Sequence, residues 1–134
     1  MPQPERPAPG SPSFVGATAE ARARLRDAED FLEVAKRSDN PGVIATNAVR
    51  SAIAAADAMC CLALRQRSAS ADHPAAASML ARVDTKVAAS LKRLLDRKNQ
   101  AAYEARDIAV GDAATCMRQA TSILEAARQR VQAI

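Results

Sequence analysis

Aromatic residues are nearly missing from this chain of 134 residues, which has two Phe, one Tyr and no Trp. A core without them has to be made from Ala and Leu, so helices must approach one another closely. Cysteine is sparse as well: Cys60 and Cys61 are neighbours, Cys116 is remote, and no Cys-x-x-Cys spacing occurs. That pattern excludes the disulfide scaffold of a small secreted domain. It leaves three free thiols, to be read as small buried hydrophobes or, alternatively, as redox groups. One histidine, His73, cannot complete a zinc set of the usual kind, and neither a metal nor a cofactor is expected. Residues 1–16 lack the apolar centre of a signal peptide, and no uninterrupted run reaches the roughly 20 apolar residues of a bilayer span. The expectation is a protein of the cytoplasm that makes no use of a membrane.

What the chain does have is alanine. Apolar residues make up 49% of it and most of the small ones are Ala, the best helix former. At this length one domain with one core is expected. Five of the seven prolines fall in the first twelve residues, a composition that cannot bury enough surface to order itself, so residues 1–16 are expected to be a disordered tail. Beyond Gly16 the only Pro or Gly residues are Pro41, Gly42, Pro74 and Gly111. These breakers divide the remainder into helical blocks.

The first block, about 17–37, repeats Ala21, Leu25, Ala28, Phe31, Leu32 and Ala35 at three- and four-residue spacing, the stripe of an amphipathic helix. Ser38, Asp39 and Asn40 offer N-caps before Pro41, and the helix that follows to about Arg65 is apolar nearly all round, as a central helix should be. Asp72 and Pro74 predict the start of a short helix containing Met79 and Leu80. A fourth helix is expected from about Asp84 to Tyr103 with Val87, Leu91, Leu94 and Leu95 inward. The last begins near Asp112 and turns Cys116, Met117, Ala120, Ile123, Leu124, Ala127 and Val131 to the core. Short links favour antiparallel neighbours. The predicted fold is therefore all-α, an antiparallel bundle of four long helices and one short one over 17–134.

Charge is unevenly placed. Residues 82–106 hold seven basic side chains against three acidic, whereas the segments before and after are balanced, so the net charge of +4 sits on the fourth helix. Lys86, Arg93 and Arg97, spaced by seven and four, share a helical face and match a phosphate backbone; the competing reading is an ordinary solvated face. Lys98 continues the stripe of Val87, Leu91 and Leu94 where an apolar residue belongs, and either reaches past the rim or faces a cleft or a partner chain. The second helix carries a polar seam of Asn47, Arg50 and Asp57, whose charges require partners on another helix or subunit if buried, with internal ion pairing favoured over a ligand role. His73, between Asp72 and Pro74, reads as a helix-start residue rather than a catalytic one.

With these residues in view, the chain resembles the HEPN superfamily, small helical bundles of prokaryotic toxin–antitoxin and defence systems. The resemblance covers about 20–132. It rests on the opening amphipathic helix, on the Ala-rich second helix "NAVRSAIAAADAMCCLAL", on "DHPAAASML", and above all on "LLDRKNQAAYEARDIAVGDAATCMRQATSILEAA". In the family the penultimate helix ends in Arg, often Asn, a few residues and then His; here "KNQAAY" stands there, with Lys98 in place of the Arg, Asn99 matching, and Tyr103 in place of the His. The resemblance implies a homodimer whose motifs meet across a two-fold axis and metal-independent cleavage of RNA. Lys98, Asn99 and Tyr103 would be its catalytic residues, and the partner an antitoxin or a nucleotidyltransferase that adds AMP to a tyrosine, for which Tyr103 is the sole candidate. Tyrosine, with an ordinary pKa near 10, is a poor general base at neutral pH, and lysine lacks the bidentate grip of arginine. The expectation is accordingly a HEPN-like dimer that binds RNA or a protein. The alternatives are a ribonuclease with a modified site and a non-enzymatic helical interaction module.

Overall fold

The computed structural model describes residues 17–66, 73–103 and 107–134, giving the backbone alone for His73 and for 101–103. The Pro-rich segment 1–16, Asp72 and Arg106 lie outside the described residues, as do the side chains of His73 and Tyr103. The described chain is all-helical: α1 (Ala17–Arg37), α2 (Pro41–Leu64), α3 (His73–Ala81), α4 (Thr85–Tyr103) and α5 (Val110–Gln132).

Local chemistry sets the boundaries. Asn40 caps α2, its Oδ1 accepting from the N–H groups of Gly42 at 2.9 Å and Val43 at 3.3 Å, with Pro41 in the first turn where no N–H is required. The other end of α2 closes on Arg65, whose φ of 58° places it in the left-handed region, and its N–H bonds back to the Cys61 carbonyl. Asp84 caps α4 by accepting from the Val87 N–H at 3.0 Å. α5 begins at Val110, two residues before the expected start, so Gly111 lies inside its first turn rather than ahead of it. A glycine costs less there than in a helix interior, because a fraying helix end keeps much of the backbone freedom whose loss is the penalty of glycine.

The helices form an antiparallel bundle. Arg24 pairs with Asp57 and the Ala28 carbonyl accepts from Ser51, so positions descend along α2 as they ascend along α1. Arg97 pairs with Asp112 and Asp84 with Arg130 in the same opposed sense for α4 and α5. α2 is the central element, packing on α1 and α5 most extensively and also touching α3 and α4. By length and composition α2 is apolar enough to cross a membrane, although Arg50 and Asp57 interrupt its apolar run, and 67% of its apolar window is buried in the bundle. Its apolarity is accounted for by helices on several sides.

Among the described residues alanine provides 17 of the 32 buried apolar side chains, which lets α1 and α2 approach closely. Met59, Leu80, Leu91, Leu94, Ile123 and Leu124 fill the wider space, each contributing on the order of 1.5–3 kcal/mol by burial. Phe31, Val87 and Met117, expected inward, sit half-buried at the edges of their stripes.

Candidate nucleic-acid interface

The first three turns of α4 carry the charge that the sequence singled out. Lys86, Lys92 and Arg93 are exposed, as is Arg82 in the turn before the helix. Among the described residues none of the four makes an ion pair; Arg93 donates only to Ser90 Oγ, at 3.4 Å. The one acid in this stretch is engaged. Asp84 accepts from the Val87 N–H, and Arg130 of α5 reaches its second oxygen at 3.4 Å. The backbone hydrogen bond first, and Arg130 next, hold its carboxyl below the usual range. Between Arg82 and Arg93 no free carboxylate competes with the cations; the exposed Asp96 stands one turn further on, lining a hollow with Arg93 and the α3–α4 groove with Lys92.

The C-terminal half of α4 differs. Arg97, expected on the same face as Lys86 and Arg93, is half-buried and tied to Asp112 Oδ1 at 3.0 Å, with Asp96 exposed beside it. Its Nε is buried without a hydrogen-bond partner. Arg97 thus couples α4 to the first turn of α5, and its charge is largely neutralised there. Lys98 is half-buried on the α5 side, near enough to influence the Cys116 thiol, so it stays at the rim of the core stripe. Asn99 is exposed and lines a groove of about 480 Å³ between α3 and α4, with Pro74, Ala77, Ala88, Lys92 and Leu95. Lys98 and Asn99 therefore face different neighbours, as a rotation of about 100° per residue requires. Within one chain the structure does not bring them into a common pocket.

The polar seam on α2 separates into distinct roles. Asp57 is buried and its partner is on another helix: Arg24 of α1 donates to Oδ2 from Nη2 at 2.9 Å and from Nε at 3.2 Å, while its Nη1 reaches Asp27 at 2.8 Å. Asn47, also buried, donates to the Val43 carbonyl of its own helix at 2.9 Å. Arg50 is exposed and needs no internal partner, which corrects its place in the seam. All three cysteines are buried. Burial first, then Asp57 and Cys61, push the Cys60 thiol up to about 12 against the pull of Arg82. Burial also raises Cys116 despite Arg97 and Lys98. Among the described residues no three His, Cys, Asp or Glu side chains are grouped so that they could hold a metal ion.

Sequence reasoning missed Arg24, Asp112 and Arg130, the partners that decide which charges are free. The antiparallel sense of the helices was expected, but only the register of α1 on α2 and of α4 on α5 would have found them. Compared with family models, with curated proteins and with solved structures, the chain has no significant match in any of the three.

Proposed function

We propose that this chain is a HEPN-like, non-catalytic RNA-binding protein that works as a homodimer in a toxin–antitoxin or related defence system. It grips the phosphate backbone with Lys86 and Arg93, flanked by Arg82 and Lys92. The observation that carries the reading is the unpaired cationic face on the first turns of α4, whose single acid is held by the helix N-terminus and Arg130. Backbone contacts of this kind supply affinity without base readout. Arg97 is left out of the contact set because Asp112 already occupies it.

Cleavage is the weaker reading. It needs a proton carrier near neutrality and a cation at one phosphate, whereas Lys98 turns toward α5 and Asn99 toward α3. The test is purified protein mixed with structured RNA in EDTA, read by gel shift and by product analysis. A salt-sensitive shift without new RNA ends is the expected result. Cleavage lost in Tyr103→Phe and Lys98→Ala would replace the proposal with a ribonuclease, and no shift at 50 mM salt would remove the nucleic-acid reading altogether.

A further inference from the structure

We infer that the nucleic acid taken by this face is a base-paired RNA helix rather than a single strand, an inference that rests on the RNA-binding reading above. Lys86 and Arg93 are seven residues apart on one helix, about 10.5 Å along its axis. Between them on the outer face lie Ala89 and Ser90, both small, so the surface between the cations is low. That is a rigid, shallow ridge with a positive charge at either end. Single strands gain much of their affinity from bases laid on aromatic rings, at roughly 1–3 kcal/mol per base. The only aromatic residue with a described side chain is Phe31, half-buried on α1, and α4 carries no aromatic residue before Tyr103 at its last position. A single strand would therefore meet charge alone, and would be ordered at its own entropic cost.

A duplex brings what the face can use. Its phosphates are held at fixed spacing on both strands, and the A-form minor groove is wide and shallow, open to a flat helical ridge. Flexible Lys and Arg side chains already lose rotamer freedom on binding, so they gain most from phosphates that are in place beforehand. Arg82, in the turn before the helix, and Lys92, on the wall of the α3–α4 groove, are exposed as well, giving four cations in all for phosphates.

The test is fluorescence anisotropy with the full chain, titrating a 16-base-pair RNA duplex and an unstructured 16-nucleotide RNA at salt concentrations from 50 to 200 mM. The duplex is expected to bind at least about tenfold more tightly at 50 mM. With four phosphate contacts its affinity should fall about 150-fold across the salt range, and in the double variant Lys86→Ala, Arg93→Ala only about 12-fold. Both positions are exposed, and unchanged helix content and melting temperature would show that the variant is folded. Equal or tighter binding of the single strand, or an unchanged salt response in the folded variant, would overturn the inference while leaving RNA binding standing. Failure of both RNAs to bind at 50 mM would overturn the function proposed above as well.

Discussion

Individual side chains in this protein are distinguished by whether a neighbouring helix has claimed them. Arg50 and Asp57 are two turns apart on α2, yet Asp57 is buried against Arg24 and Arg50 reaches solvent. Asp57→Asn keeps the shape and removes one of the two carboxylates that hold Arg24, leaving it Asp27, so a loss of about 1–3 kcal/mol is expected, whereas Arg50→Ala should change stability by less than about 0.5 kcal/mol. Urea midpoints of the two variants check the contrast, and equal effects would mean that the α1–α2 ion pair contributes nothing. The thiols follow the same logic. Only a thiolate reacts readily, and Cys60, Cys61 and Cys116 are buried, with Cys60 and Cys116 both raised. Native protein at pH 8 is expected to leave all three unmodified by a thiol reagent over minutes, with all three reacting once urea unfolds the chain. Rapid labelling of one native thiol would show an opening that this packing does not contain.

At the level of the helix, the end chemistry was more legible in the sequence than the pairing. Pro41 with Asn40, and Asp84 with the stripe of Val87, Leu91 and Leu94, marked the starts of α2 and α4 closely because caps act over three or four residues. Gly111 misled by two residues, since a lone glycine weakens a helix interior but is tolerated in a first turn. The candidate site was legible only in part. The excess charge on α4 could be counted, but Asp112 and Arg130, which remove Arg97 and Asp84 from it, lie on a neighbouring helix whose antiparallel sense was expected but whose register and facing side chains no local signal fixes. Asp84 gives the pH dependence of this element. Its carboxyl is lowered in the fold, so its stabilising effect is complete above the unfolded pKa near 3.9 and is lost as pH falls through the lower folded value. Asp84→Ala should cost about 1 kcal/mol at pH 7. Asp84→Asn retains an acceptor for the Val87 N–H and should flatten the acid limb of the stability curve, which melting temperatures between pH 2.5 and 7 would reveal.

The whole molecule departs from the usual relation between hydrophobicity and stability, because its core is held by proximity more than by apolar bulk. Ala54 lies one turn from Ser51, the residue whose hydroxyl bonds across to the Ala28 carbonyl at 2.7 Å, and it is fully buried. At that spot α1 and α2 touch through small side chains, and a larger group has nowhere to go without separating the two backbones or breaking the Ser51 bond. Ala54→Leu adds apolar surface worth over 1 kcal/mol by transfer alone, yet overpacking a filled core costs about 1–3 kcal/mol beyond any such gain. A lower urea midpoint is therefore expected for Ala54→Leu, while Ala63→Leu, exposed on the same helix, should leave the midpoint nearly unchanged. Were Ala54→Leu to stabilise the protein, the close approach of α1 to α2 would not be what organises this bundle. The Arg24–Asp57 pair, which depends on the same approach, would then lose its structural reason.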